Sequence, residues 1–286
     1  MINVYSDLIK FLENEIEGVL ISVVQTKGSV PRDTDAFMLV NQNSSFGTVG
    51  GGCLEFDAIQ KARDLVKDPM FSSFCYEYHL GPKLGQCCGG AVELNFKKIT
   101  PKLRKKILTD NLQKKKLWDN VLVFGAGHVG QALIQQMQEI PLNVSLIDSR
   151  SRDGVDFLMP ESCKTTPFPE AEVRKSKPGS AYVIVTHDHA LDFILVKEVL
   201  LRNDAVYLGM IGSDTKKLIL KKWLKKEGIY GFEKIFTPLG KSIASVKLID
   251  KRPEVIAAFV LAEILVAIQT NKNVLKQIRK KKVMGA

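Results

Sequence analysis

Five cysteines in 286 residues, two of them adjacent as Cys87 and Cys88, do not make a disulfide framework. In a reducing compartment such thiols are free, ligands or core residues. No C-x-x-C pair occurs, and no second pair at finger spacing, so the pattern does not fit zinc. No apolar run reaches the roughly 18 residues that a membrane span needs. The opening MINVYSDLIKFLENEIEG carries Asp7, Glu13, Glu15 and Glu17 and lacks the basic-then-apolar order of a secretion signal. The expectation is a cytoplasmic protein. Histidines number only four, and no general acid–base pair stands out beyond them. The lysines are scattered and not interleaved with aromatic residues, which argues against a nucleic-acid partner.

What the chain does have is a formal charge of +10. That favours anionic partners, such as a phosphorylated cofactor or an acidic protein. Its length suggests two domains, at roughly 100–200 residues each. The predicted class is α/β, with an N-terminal α+β domain followed by a Rossmann-like doubly wound parallel sheet. The expected limits are residues 1–96 for the first domain and 119–286 for the second, which ends in helices. Between them, residues 97–118 are a basic linker. Lys97, Lys98, Lys102, Arg104, Lys105, Lys106, Lys114, Lys115 and Lys116 stand there against Asp110 alone. A solvated helix is the expected form.

The stretch from Asp119 to Arg150 organises the rest. Val121 to Phe124 is a short apolar run and reads as a buried strand. Gly125-Ala126-Gly127-His128-Val129-Gly130 then satisfies G-x-G-x-x-G. A helical pattern follows, with Val129, Ala132, Leu133 and Met137 near helical spacing. Leu142 to Ile147 is a second strand, ending at Asp148. Gly125 lets the chain turn, Gly127 lets backbone approach a pyrophosphate, and Gly130 lets helix and strand pack closely. Unpaired amides at the helix start face an anion. Asp148 follows Gly125 at close to the expected interval of about 20 residues, where an acid accepts from ribose hydroxyls.

Two further loops combine glycine with cysteine. Gly50, Gly51 and Gly52 precede Cys53 at the start of a helix running to Val66. Three glycines in a row imply backbone at φ > 0 or a close approach. A thiol at a helix start has a depressed pKa and can be a thiolate. Equally, Cys53 can be a small buried residue, since free cysteine is among the most buried types. The second loop, Gly81 to Gly90, holds Cys87 and Cys88. Soft thiolates on flexible backbone suit a soft metal or a sulfur-bearing ligand. In the second domain, the strand Ala181 to Thr186 runs into His187, Asp188 and His189. The carboxyl ends of parallel strands line the ligand crevice. His187 and His189 therefore sit at a site by position, as ligands or as caps of the next helix. Ala205 to Met210 is the next strand, and Gly212 with Ser213 opens the helix after it.

Taken together, these motifs resemble one family. GSVPR (Gly28 to Arg32), GTVGGGCLE (Gly47 to Glu55), LGQCCGG (Leu84 to Gly90), GAGHVGQAL, THDHALD and YLGMIGS (Tyr207 to Ser213) are similar, in order, to the xanthine dehydrogenase accessory proteins of the XdhC/CoxI type. The resemblance runs from about Lys27 to Glu263. It departs at Val30, Asp35, Lys241 and Ala244. It implies a chaperone for the molybdenum cofactor, a phosphorylated pterin dithiolene (molybdopterin). The implied partners are a cysteine desulfurase, which supplies the terminal sulfur, and the molybdenum subunit of an apo xanthine dehydrogenase. A homodimer is implied as well. The cofactor-binding set is then Gly50, Gly51, Gly52, Cys53, Cys87, Cys88, Gly125, Gly127, His128, Gly130, Asp148, His187, His189, Gly212 and Ser213. Cys53 is the residue expected to meet the metal. NAD is a second candidate ligand, and an NAD(P)-dependent oxidoreductase is the alternative function. The glycine–cysteine loops have no role in hydride transfer and weigh against it. Asp188 and Asp192 beside the histidines would also repel a carboxylate substrate.

Overall fold

A computed structural model describes residues 4–14, 17–28, 36–81, 89–151, 159–241 and 250–284. The chain divides into two compact units, Ile2–Lys114 and Lys115–Ala286. In the first unit the order is α1 (Val4–Asn14), β1 (Val19–Lys27), β2 (Phe37–Val40), β3 (Ser45–Gly47), α2 (Gly52–Val66), β4 (Ser73–His79), β5 (Ala91–Lys98) and α3 (Pro101–Lys116). Its five strands form an antiparallel sheet ordered β3-β2-β1-β5-β4. Central β1 buries Val19, Ile21 and Val23 on one face, where α2 covers them with Leu54, Ala58 and Ala62. On the other face Leu8 and Leu12 of α1 meet Leu39, Ile99 and Ile107. Strand alternation thus feeds two cores. Ile107 belongs to α3, so the basic segment is a helix with one buried anchor on this unit.

The second unit runs β6 (Asp119–Phe124), α4 (His128–Met137), β7 (Leu142–Asp148), β8 (Lys164–Thr165), α5 (Glu170–Lys175), β9 (Ala181–Ile184), α6 (His189–Arg202), β10 (Tyr207–Met210), α7 (Asp214–Lys226), β11 (Ile235–Phe236) and α8 (Pro253–Met284). Its sheet is parallel and ordered β11-β10-β9-β6-β7-β8. Counted along the chain within this unit, that is the 3-2-1-4-5-6 order of a doubly wound dinucleotide fold. Strands covered on both faces must be apolar where they are covered, and Val121 to Phe124 of β6 obey. Val121 and Val123 enter the core under α4 and α8. Leu122 and Phe124 enter the core under α5, α6 and α7. Each such side chain contributes about 1.5–3 kcal/mol by burial.

The structure adds three features to those read from the sequence. The proline-punctuated stretch around Cys163 holds β8 and α5. The basic tail at Arg279 to Lys282 lies inside α8, because no glycine or proline stops the helix before Gly285. Within α8, Pro253–Gln277 is long and apolar enough to cross a membrane by length and composition. Counting uninterrupted apolar runs hides this, since Glu254 and Glu263 break the run. Its Ala257, Val260, Ile264 and Ile268 pack into the core. Buried Glu263 accepts from the Tyr207 hydroxyl at 2.8 Å and the Gly240 amide at 2.9 Å.

The α4 start has no room for a side chain at Gly130. A Cβ there would lie 1.9 Å from the Gly125 carbonyl oxygen, and backbone cannot move aside as a flexible side chain does. Gly130→Ala is expected to cost about 1–3 kcal/mol or more, as overpacking does. Urea denaturation followed by far-UV circular dichroism checks it; an unchanged midpoint would show that the turn yields.

Candidate functional site

The strand order reverses between β6 and β9, so the crevice opens where their carboxyl ends part. Short backbone bonds fix that edge. Gly125 N–H donates to Ile147 O at 2.7 Å, Val185 N–H to Phe124 O at 2.8 Å, and Ile211 N–H to Ile184 O at 2.9 Å. Gly125 turns the chain at φ +110°, and a Cβ there would sit 2.3 Å from Val185 O. Only glycine fits.

Asp148 ends β7 and is buried. Its Oδ2 accepts from the Ala126 amide at 2.7 Å and from Arg150 Nη2 at 2.8 Å. Its Oδ1 accepts from the Arg150 amide and from Arg150 Nε, both at 2.9 Å. Burial alone would raise the carboxyl pKa. The Arg150 side chain and the amides of Ala126 and Arg150 outweigh it, and the group sits below the usual carboxylate range. The acid predicted to meet a ribose thus lies behind the glycine loop with its oxygens engaged.

The crevice has a volume of about 380 Å³. Gly127, His128, Arg150, Thr186, His187 and Ile211 line it. Gly127 is unlike its neighbours. Its φ is −70°, a value any residue adopts, and a Cβ there meets nothing within 4 Å. Gly127 is the N-cap of α4, and among the described residues no clash requires glycine there: the space in front of it is open. The wall carries a guanidinium and two imidazoles and no carboxylate, among the described residues.

The other predicted residues fall around this wall. His189 is exposed and opens α6, while Asp188 caps it by accepting from the Ala190 amide at 2.8 Å. Ser213 caps α7 by accepting from the Lys216 amide at 3.3 Å. Gly212 stands against the Lys216 side chain. Two residues escaped the sequence reading. Lys216 is buried and paired with fully buried Asp192. Asp192 also accepts from the Thr186 hydroxyl at 2.6 Å. It therefore presents no net negative charge beside the histidines, and the expected repulsion of a carboxylate does not arise from it. No pattern within one sequence links residues 192 and 216. Arg150 had a signal: it stands two residues past the acid.

In the first unit Gly50, Gly51 and Gly52 all have positive φ. Glu55 gathers the loop: its Oε1 accepts from the Thr48 hydroxyl and from the amides of Val49 at 2.9 Å and Gly50 at 3.1 Å. Cys53 is exposed in the first turn of α2. The small-buried-residue alternative for Cys53 therefore drops out. Cys87 and Cys88 lie outside the described residues. Among the described residues no group of three or more His, Cys, Asp or Glu could hold a metal ion.

Residues 121–264 match the family model described as the XdhC Rossmann domain, and residues 11–73 match the XdhC and CoxI family model. The chain is 24% identical to a Bacillus subtilis (strain 168) protein named as a probable xanthine dehydrogenase subunit, over 95% of this chain and 98% of that protein. It is 22% identical to the uncharacterized protein YqeB of Escherichia coli (strain K12), over 92% of this chain. There it spans about half of the relative, 46%. A solved structure named as a xanthine dehydrogenase, from Bacillus halodurans, superposes with a TM-score of 0.71 at 17% identity, covering 94% of this chain and 96% of that one. At that identity the likeness shows the fold.

The Asp148 bonds carry a pH signature. Its folded pKa lies below the unfolded value, so the unfolded chain binds more protons in acid and stability rises with pH there. The contribution is whole above about pH 4 and is lost as pH falls through the folded pKa. Asp148→Asn is expected to cost about 3 kcal/mol near pH 7, as breaking a buried pair does, at the low end because Arg150 reaches water. The gap between wild type and variant should shrink at about pH 3. Urea unfolding at both values reads it, and an equal gap at the two would overturn the assignment.

Proposed function

Because this chain belongs to the XdhC and CoxI family, we propose that it is an accessory protein of a xanthine dehydrogenase-type enzyme and that its cargo is the molybdenum cofactor. It holds the pterin in the cytoplasm, supports its sulfuration by a cysteine desulfurase and delivers it to the apo molybdenum subunit. A homodimer is the working form of this reading. The name of the Bacillus subtilis relative supports the partner.

The residues fit such a cargo. A phosphorylated pterin needs a cation, backbone donors and room for close approach, and the crevice wall supplies Arg150, the amides at the start of α4 and the open space at Gly127. The cofactor's molybdenum and its terminal sulfur call for a soft ligand, and Cys53 presents an exposed thiol. Gly127 is the observation that carries the reading, because the open space before it lets a ligand approach the amides at the start of α4.

Two variants test it. Gly127→Ala should fold and cost about 1 kcal/mol, as alanine at a helix N-cap does. It should reduce the molybdopterin retained on purification, read as pterin fluorescence after oxidation. Cys53→Ala should also fold, since the side chain is exposed. It should lower activation of the partner dehydrogenase by cofactor-loaded protein. Full retention in the first and full activation in the second would leave both residues without a part in carrying the cofactor.

The Rossmann strand order supports a second reading, a nicotinamide-dependent oxidoreductase. It predicts steady turnover of NAD or NADP with alcohols, hydroxy acids or aldehydes, abolished by substituting His187. The accessory reading expects no turnover in the same assay.

A further inference from the structure

Helix α7 makes its contacts with the fold along one stripe. Lys216, Leu220 and Leu224 recur at helical spacing and are buried. Beside them Trp223 meets Phe193 of α6, with 5.6 Å between ring centroids. Leu218 and Ile219 lie off that stripe and are 60% and 53% exposed. Single exposed aliphatic residues are ordinary, but these two are adjacent and bordered by cations. Lys221, Lys222, Lys225 and Lys226 follow them, all exposed. Among the described residues, Lys221, Lys222 and Lys225 have no ion pair. Lys226 stands near Glu227, which Lys197 already holds at 2.8 Å. The other acid of the helix is Asp214, at its first position. The patch also has a telling place. α7 follows Ile211, which lines the crevice, and the aliphatic pair falls in the second turn of the helix. A partner covering Leu218 and Ile219 therefore stands at the end of α7 that meets the crevice.

We propose that this face of α7 is where the apo molybdenum subunit docks, and that the surface it brings is acidic around an apolar centre. This rests on the accessory-protein reading and adds which face the subunit touches. Leu218 and Ile219 supply apolar area to be removed from water, and the lysines around them call for anions on the other side. Unpaired cations of one sign steer an acidic partner before contact, and the place of the patch brings that partner beside the crevice from which cargo would leave. A lipid surface fits less well. A helix lying in a membrane interface turns its main apolar stripe to the bilayer, and in α7 that stripe is spent on the fold.

Biolayer interferometry of the full chain on immobilised apo molybdenum subunit measures the association. The wild type should bind, and more weakly as salt is raised. The triple variant Lys221→Glu/Lys222→Glu/Lys225→Glu should weaken binding tenfold or more, and so should Leu218→Ser/Ile219→Ser. These side chains are exposed and none lines the crevice, so both variants should fold by circular dichroism and retain as much pterin as the wild type. Unchanged binding by either variant overturns the proposal and leaves the accessory reading in place. No binding by the wild type overturns both. A fall in retained pterin that accompanies the loss of binding gives the face to the cargo and overturns the docking role. Flotation with phosphatidylserine vesicles, lost in the charge-reversal variant while subunit binding persists, makes the face a membrane surface and overturns it too.

Discussion

The Asp148 carboxylate is where the second unit is tied together. It ends β7, holds the amide of Ala126 in the glycine loop, and draws Arg150 back over the strand end. Two neighbouring strands and the turn between β6 and α4 therefore share one buried anion. Such a group is costly to bury alone, and here every lone-pair position has a donor. The result is a loop whose shape is set before any ligand arrives. Preorganised donors lose less on binding than donors that must first be ordered.

Steric demands divide the three loop glycines into two kinds. Gly125 and Gly130 are glycine because backbone lies within 2.3 Å and 1.9 Å of where a Cβ would be. They build the turn and let α4 approach β6 and β7. Gly127 has ordinary dihedrals and empty space in front of it. Packing demands two of the glycines, while the third caps α4 with open space before it. The same contrast separates Asp148 from Arg150: one is consumed by the architecture, the other faces the crevice.

Much of this could be read from residues alone, and the remainder had definite causes. Apolar runs such as Val121 to Phe124 and Ala181 to Ile184 announce strands covered on both faces, and G-x-G-x-x-G announces the turn between them. The order of the six parallel strands follows from the fold class that these signals name. The short β8 and α5 escaped because prolines on either side read as loop. The Asp192–Lys216 pair escaped because residues 24 positions apart on different helices share no local pattern. Lys216 is one of several lysines on α7, and only burial distinguishes it. Asp148 stands at the strand end that the spacing names, but a spacing rule cannot report that its acceptor positions are filled.

Both units use the same device, with opposite consequences. In each, a glycine-rich loop enters a helix and a carboxylate from the protein accepts its donors. Glu55 takes the Thr48 hydroxyl and the amides of Val49 and Gly50, so those donors are unavailable to an anion from solution. Burial would raise the Glu55 pKa, yet the Thr48 hydroxyl and the amides of Gly51, Gly50 and Val49 hold it below the usual range, as expected of an ion that takes the place of a bound phosphate. What this loop leaves exposed is a thiol, Cys53. Asp148 takes only the Ala126 amide from its own glycine loop, and leaves Gly127 and the start of α4 facing the crevice. The two loops therefore differ in what they leave open: an exposed thiol in the first unit, a glycine and a helix start in the second.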